Sequence, residues 1–274
     1  MTEIDRWSAD QLRSVGQIST YGPLPGSGGG DYIPSNIERI MQSRVLEAVR
    51  PGRTDRFDVS VRYSTKSNVH LLRATDGSWN IYKPIALQTG FDVDPEFGVA
   101  IVRNEIATFR VDQLLGYGRV PPTALVDGPL GLGSIQQWVR SKPYRPHRRI
   151  PEVQKQQMAI LDFVCANADR HEINCRLDRR KSIVAIDNGA NFDEKFESSA
   201  SLFTDDFRGK KLDSRLLADL REVDSTYMRS ALRDSGLDRN AIDSAMARLA
   251  EVQKNGMIPD KSLPQRIEGP FDWL

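Results

Sequence analysis

The residues with most potential for chemistry lie in one stretch, LDFVCANADRHEINCRLDRRKSIVAIDNGANF, which covers residues 161–192. It contains Asp169, His171 and Asn174, followed by Asp187 at the start of an Asp-Asn-Gly run. A phosphoryl-transfer enzyme needs one group that orients the attacking hydroxyl, and oxygen ligands that hold a divalent metal against the phosphates. Asp169 is the candidate for the first task, and Asn174 and Asp187 are the candidates for the second.

The local structure predicted around these residues would bring them together. Residues 158–166 are an apolar run typical of a buried helix, and residues 175–177 and 182–186 are predicted strands joined by a polar turn. Because a hairpin brings its two ends together, Asn174 and Asp187 should lie at the same end. Gly189 lacks a Cβ and would let the chain turn sharply there. Hard oxygen ligands of this kind suit Mg²⁺ or Mn²⁺.

Each of these residues also has an ordinary structural interpretation. Asp-Asn-Gly is a frequent hairpin signal, and a single histidine such as His171 is more often structural than catalytic. The combination is more specific than its parts. It consists of Asp-Arg-His, an asparagine five positions after the aspartate, and a predicted strand that ends in Asp-Asn-Gly.

This combination resembles the catalytic segment of the atypical kinases, which include the phosphatidylinositol 3- and 4-kinases and the secretory-pathway casein and xylosyl kinases. A second segment, NEIATFRVDQLLGYGRVPPT at residues 104–123, resembles a helix of the secretory kinases that ends in Arg-Val-Pro-Pro. The resemblance covers residues 63–192, about half of the chain. It implies an α+β, two-lobed kinase-like fold, with a small β-rich N-terminal lobe that carries one long helix and a mainly helical C-terminal lobe. It also implies ATP and Mg²⁺ or Mn²⁺ as cofactors.

Lys83 is the predicted phosphate-binding residue. Residues 69–74 and 79–83 are predicted to form a hairpin with Asp-Gly at its turn, and Lys83 ends the second strand. A lysine at this place can neutralise the α- and β-phosphates of ATP. The following proline matches the Lys-Pro pair of the resembled kinases. Taken alone, such a lysine is more often a solvated strand residue, but beside the catalytic segment the phosphate-binding role is favoured.

Glu105 is the predicted partner of Lys83. Residues 95–115 carry an apolar stripe at helical spacing, and Glu105 lies beside that stripe, so it could face inward. Glu96 competes for this role, but it lies at the helix start, where the helix dipole alone favours an exposed glutamate. The resemblance to the secretory kinases favours Glu105.

The remaining nucleotide contacts are less specific. No glycine-rich phosphate loop of the common protein-kinase type is present, and the nearest equivalent, residues 63–68, offers Ser67 and Asn68 to cover phosphates. Residues 124–126 and 134–139 are predicted strands. In a kinase topology the second leads into the hinge between lobes, so that adenine would meet backbone groups near Gln137 and Val139. The alternative, an ordinary strand with no hinge after it, would show the same residue pattern.

These assignments predict transfer of the γ-phosphoryl group of ATP to a hydroxyl. Lys83, Asp169 and His171 are the predicted catalytic residues. Asp169 would orient or deprotonate the acceptor, and His171 would stabilise the transferring group, as the resemblance to the lipid kinases implies. The resemblance to the secretory kinases makes Ser or Thr of a protein or peptide the first choice of acceptor. A sugar, another small metabolite or a phosphoinositide stays open, as do AMP transfer and an inactive nucleotide-binding scaffold.

Composition excludes several other classes of protein. The chain has 274 residues and a net charge of +1, which argues against broad nucleic-acid binding. No apolar run approaches the roughly 20 residues that span a bilayer, and the first ten residues have no apolar signal core. Two cysteines cannot form the disulfide framework expected of an exported relative, so we predict a cytoplasmic protein. Nothing in the sequence indicates an oligomeric state.

Three regions follow from these predictions. Residues 1–36 are an N-terminal extension with one short helix, at residues 9–15, and a Gly/Pro-rich linker. Residues 37–139 form the ATP-binding lobe, and residues 140–274 form the lobe with the catalytic loop and C-terminal helices. A basic segment, residues 140–149, has two interpretations. It could hold an anionic substrate, such as an acidic peptide or a phospholipid headgroup, or be a solvated loop between lobes.

Overall fold

The computed structural model describes residues 32–48, 69–74, 76–88, 95–146, 149–192 and 201–260. The predicted helix at residues 9–15, the candidates Ser67 and Asn68, and the chain beyond residue 260 lie outside the described residues. No helix among the described residues is long and apolar enough to cross a membrane.

An antiparallel sheet and two helices make up the N-terminal part. The sheet has the strand order β1-β2-β4-β3. The elements are α1 (Asn36–Ala48), β1 (His70–Arg73), β2 (Trp79–Pro84), α2 (Pro95–Leu115), β3 (Thr123–Gly128) and β4 (Gly131–Gln137). The β1–β2 hairpin pairs His70 with Tyr82 and Arg73 with Trp79, as the Asp-Gly turn predicts. This part is therefore the small β-rich lobe.

Helix α2 has the predicted bounds and serves both parts of the fold. Its first residue is Pro95, whose fixed φ suits the first turn of a helix. The buried residues Val102 and Ile106 belong to a cluster with Leu125 of β3. Further along the helix, Phe109 belongs instead to the large core of the C-terminal part. One long helix thus connects the first sheet to the second half of the molecule.

A second antiparallel sheet and several helices make up the C-terminal part. The sheet has the order β5-β6-β7. The elements are β5 (Ser141–Pro143), α3 (Glu152–Val164), β6 (Cys175–Asp178), β7 (Ile183–Ala185), α4 (Leu202–Phe207), α5 (Ser214–Arg221), α6 (Ser225–Asp234) and α7 (Arg239–Asn255). Aspartate side chains cap α5, α6 and α7 by accepting N–H groups of the first turn. The predicted α+β fold, with a β-rich first part and a mainly helical second part, is confirmed.

The residues just before α1 belong to the fold, which the assignment of residues 1–36 to a linker did not foresee. Tyr32 is fully buried, and its hydroxyl donates to Glu38 at 3.0 Å and accepts the N–H of Leu125 at 3.2 Å. The N–H of Ile33 donates to the carbonyl of Asp234, at the end of α6. The segment therefore contacts both parts of the molecule.

The basic segment is not wholly a loop, because residues 141–143 form the edge strand β5. Ser141 lies opposite Asp178 and Pro143 opposite Arg176. Tyr144 is buried and packs edge-on against Phe203, with ring centroids 5.5 Å apart. A strand of three residues is too short to show an alternating pattern, so it could not be predicted from the sequence.

Candidate active site

A buried lysine between two carboxylates forms the first half of the site. Lys83 lies on β2 opposite Ser134 of β4 and is 7% exposed. Its Nζ forms an ion pair with Oε1 of Glu105, which is buried on α2, and lies 2.7 Å from Oδ1 of Asp187. The ion pair predicted between Lys83 and Glu105 is thus present. The side chain of the competing Glu96 lies outside the described part of the structure.

The charges in this cluster reinforce one another. Burial disfavours the ammonium of Lys83, but the charges of Asp187 and Glu105 outweigh it and raise its pKa above the ordinary value. The ammonium of Lys83 in turn holds the pKa of Asp187 below its usual range. One ammonium beside two carboxylates leaves a negative charge unbalanced, which suits the approach of a cation.

The catalytic-loop residues Asp169, His171 and Asn174 form the second half of the site. The Nδ2 of Asn174 donates to the backbone carbonyl of Asp169 at 2.8 Å and to its Oδ2 at 3.2 Å. His171 Nε2 lies 3.5 Å from Oδ1 of Asp169, and both side chains are about half exposed. Oδ1 of Asn167 accepts the N–H of Asp169 at 2.9 Å, which fixes the start of the loop. The Asp169 carboxylate is therefore both held in place and open to an acceptor.

The two halves meet because the β6–β7 hairpin folds as predicted. Asn174 immediately precedes β6 and Asp187 follows β7 by two residues. The N–H of Ile186 donates to the carbonyl of Asn174 at 3.1 Å. Arg170 Nη1 donates to the carbonyls of both Asn174 and Ile186, at 3.0 and 2.7 Å. The proposed metal ligands therefore lie on adjacent backbone segments.

Asp187, rather than Gly189, has the unusual backbone conformation in this turn. Asp187 has φ of 56°, in the left-handed region that is sparsely populated by residues other than glycine. The predicted turn is present at residues 189–190, but Gly189 has no positive φ, so the turn itself does not require a glycine. A Cβ on Gly189 would lie 2.7 Å from Cγ2 of Ile101 on α2, so the glycine is required for close packing on that helix.

Asn174 and Asp187 fit a divalent metal as part of its ligand set. Because Nδ2 of Asn174 is held by Asp169, the amide orientation leaves Oδ1 as the free acceptor, and no described residue donates to it. The Asp187 side chain is 51% exposed. No group of three or more His, Cys, Asp or Glu side chains among the described residues could hold a metal alone. Phosphate oxygens and water would have to complete the coordination, as is usual for Mg²⁺.

The proposed hinge is only partly available to a nucleotide. The N–H of Gln137 donates to the carbonyl of Pro122 at 2.9 Å, so it is not free to meet adenine. The N–H of Trp138 likewise donates to Trp79 at 2.8 Å. Val139 lies between β4 and β5 and is half-buried. Of the two predicted hinge residues, Val139 therefore stays the candidate.

A buried ion pair lies beneath the catalytic loop, and the sequence analysis did not identify it. Arg170 pairs with Asp162 of α3, with Nε 3.1 Å from Oδ1, and both side chains are buried. The Oδ2 of Asp162 also accepts the hydroxyl of Ser201 at 2.7 Å. The available signal was one aspartate within the apolar run MAILDFVCA.

Comparison with known proteins gives matches at the level of structure only. No protein-family model matches the chain, and no curated protein matches it in sequence. The Golgi casein kinase with Mn/ADP bound is similar with a TM-score of 0.44 and 13% identity, over 71% of this chain and 70% of that chain. The Helicobacter pylori proinflammatory kinase CtkA gives 0.47 and 13%, over 73% and 92%.

A third similar structure is the Rio2 kinase–ADP/Mg²⁺–phosphoaspartate complex from Chaetomium thermophilum. It gives a TM-score of 0.38 and 14% identity, over 89% of this chain and 84% of that chain. All three of these similar proteins are kinases. At these scores and identities, the likenesses concern the fold and carry nothing about activity, substrate or residue roles.

Proposed function

We propose that this protein is an ATP-dependent kinase that transfers the γ-phosphoryl group to a hydroxyl, with Ser or Thr of a protein or peptide as the first acceptor. The observation that carries the proposal is the meeting of Lys83 with Asp187. These residues are far apart in the sequence, yet Nζ and Oδ1 lie 2.7 Å apart, beside the loop that holds Asp169. A phosphate-binding lysine, a metal-binding carboxylate and a proton acceptor in one place are the parts that phosphoryl transfer needs.

Each side chain has one role in the proposal. Lys83, held by Glu105, neutralises the α- and β-phosphates. Asn174 and Asp187 hold Mg²⁺ or Mn²⁺, and the metal supplies charge neutralisation at the phosphates when it is bound.

Asp169 orients the acceptor hydroxyl or takes its proton, and His171 beside it donates to the transferring group. Val139, Ser67 and Asn68 are the proposed further contacts of the nucleotide. Most of the rate gain comes from positioning and charge neutralisation.

The acceptor assignment depends on sequence alone. Residues 104–123 resemble the secretory kinases, whose casein-kinase members act on protein hydroxyls, and this makes a protein or peptide the first choice. The half-exposed carboxylate of Asp169 leaves room for a side chain that arrives from solvent. Sugars, other small metabolites and phosphoinositides remain alternative acceptors of the same chemistry.

Labelled ATP tests the reaction class directly. The full-length protein is incubated with a lysate and ATP labelled at either the α- or the γ-phosphate, and the labelled product is identified by mass spectrometry. Label from γ alone supports a kinase, label from α means AMP transfer, and no label from either means a scaffold. Asp187→Ala should abolish the γ-label. Asp205→Ala, which removes an exposed carboxylate paired with Arg208, is the control that should keep it.

A further inference from the structure

Arg170 is the largest fully buried side chain in the described part of the chain. Three different kinds of acceptor surround its guanidinium. Nε donates to the carboxylate of Asp162, Nη1 to the carbonyls of Asn174 and Ile186, and Nη2 to Oδ1 of Asn188 at 2.5 Å. Burying a charge is costly unless the charge is paired and hydrogen-bonded, and here both conditions are met.

Three of the groups that accept from Arg170 belong to a proposed metal ligand or to its neighbours in the chain. One carbonyl belongs to Asn174 itself. The other belongs to Ile186, which precedes Asp187, and the amide oxygen belongs to Asn188, which follows it. A guanidinium is a flat, rigid fork of five N–H donors, so groups bonded to it are held at fixed separations. Arg170 therefore fixes the backbone on either side of Asp187 relative to Asn174.

Asp162 fixes Arg170 in turn. It lies within α3, is fully buried, and also accepts the hydroxyl of Ser201, whose neighbour Leu202 donates its N–H to the carbonyl of Arg170. The carboxylate thus connects the central helix of the C-terminal part to the catalytic loop. Neither Asp162 nor Arg170 contacts Lys83 or Glu105 in the hydrogen bonds and ion pairs of the described residues.

We infer that Arg170, held by Asp162, is a positioning residue for the metal, because it sets the spacing between Asn174 and Asp187. This inference rests on the proposed function, since it needs a metal at those two side chains. The predicted consequence is selective. Loss of the fork should weaken metal binding and leave the nucleotide contacts of Lys83 unchanged.

Arg170→Lys in the full-length protein is the test, since lysine keeps the charge opposite Asp162 but offers three donors on a flexible stem. Mn²⁺ binding is measured by electron paramagnetic resonance with saturating ADP present, so the readout does not need turnover. We expect the apparent Kd for Mn²⁺ to rise by about 10- to 100-fold, as for other residues that orient metal ligands. At saturating Mn²⁺, γ-transfer should recover in part.

Arg110→Lys is the matched control. Arg110 is also buried and charged, and it pairs with Glu38 while it donates to the carbonyls of Ile33 and Ala231. None of these residues belongs to the catalytic loop. Both variants should lower the melting temperature, but only Arg170→Lys should change the affinity for Mn²⁺. Equal weakening in both variants, or unchanged affinity in Arg170→Lys, would overturn the inference.

Asn188→Ala covers the case in which Arg170→Lys does not fold. It removes only the Nη2 contact and should weaken Mn²⁺ binding in the same direction, and unchanged affinity would again overturn the inference. The wild-type protein separates this failure from that of the proposed function. If wild type transfers the γ-phosphate while Asn188→Ala binds Mn²⁺ normally, only the positioning role fails. If wild type binds no Mn²⁺ with ADP, the metal site fails and the positioning role fails with it.

Discussion

Asp112 should make the stability of this protein depend on pH in a direction that few carboxylates give. It lies on α2, is 1% exposed, and accepts the N–H groups of Arg119 and Val120, both at 3.0 Å. Burial raises the pKa of Asp112 to about 6, despite those hydrogen bonds and the charge of Arg119. The loop it holds matters to the site, because the carbonyl of Arg119 accepts the N–H of Ala185, two residues before Asp187.

The sign and size of the effect follow from the two pKa values. Burial raises the pKa of the Asp112 carboxyl from its ordinary value of 3.8 to about 6 in the folded protein. The unfolded chain therefore releases its proton first, and stability falls as the pH rises from 3.8 to 6, then levels off. A difference of about two pKa units corresponds to about 3 kcal/mol in all. Roughly half of this, about 1 to 2 kcal/mol, falls between pH 5 and pH 8.

Urea unfolding of wild type and Asp112→Asn, followed by circular dichroism at several pH values from 5 to 8, measures this effect. Asparagine copies the neutral carboxyl, with one oxygen that can accept an N–H, so the variant lacks this titration. Its free energy of unfolding relative to wild type should rise by about 1 to 2 kcal/mol from pH 5 to pH 8. Parallel pH profiles for the two proteins would refute the assignment of the raised pKa to Asp112.

The remaining predictions concern the site itself. Asp187→Ala should remove detectable γ-transfer through loss of the metal, and normal ATP turnover in that variant would reject its role as ligand. Asp169→Asn should keep nucleotide binding, measured by titration with ADP, yet lose about 10²–10⁴ in transfer rate, which a normal rate would contradict. Glu105→Gln removes a charged partner of the lysine and should cost about 1.5–3 kcal/mol, a 10- to 100-fold rise in KM for ATP; an unchanged KM would leave Glu105 a purely structural residue. Gly189→Ala should cost about 1–3 kcal/mol in urea unfolding because its Cβ meets Ile101, and Ile101→Ala in the same chain should restore part of that loss. Additive losses in the double variant would show that the two residues do not clash.

The sequence predicted those parts of the fold that local patterns determine. The apolar stripe and Pro95 predicted the bounds of α2, and the Asp-Gly turn predicted the hairpin that carries Lys83. The β6–β7 hairpin placed Asn174 and Asp187 at the same end because its turn was recognisable. In each case the signal lies within a few residues of the structure that it specifies.

Features that depend on distant contacts could not be predicted in this way. Tyr32 is buried because β3 supplies the N–H of Leu125, far along the chain, to its hydroxyl. The N–H of Gln137 is not available to bind a nucleotide, because it already donates to the carbonyl of Pro122. The left-handed conformation of Asp187 has no local signal, since aspartate is only moderately tolerant of it. These outcomes follow from the packing of elements against one another.

Among the described residues, some buried ion pairs are enclosed on both sides and one is open to solvent on one side. This difference determines where a ligand could reach a charged group. Arg110–Glu38 and Arg170–Asp162 are enclosed on both sides. Well-packed apolar residues often stabilise a fold as much as such pairs, so their contribution here is a defined geometry between distant elements.

Lys83 differs because only one of its two partners, Glu105, is buried, while the side chain of Asp187 is half exposed. On the proposed function, a cation that takes Asp187 would release one anionic partner of Lys83 at the moment when phosphate supplies another. The ammonium stays buried and paired throughout, because Glu105 holds it in both states. The exchange therefore avoids the several kcal/mol that an unpaired buried charge would cost, and a preorganised lysine is the result. Glu105→Gln should consequently weaken the binding of ATP more than the binding of Mn²⁺. Equal weakening of binding for both ligands would refute this division of roles.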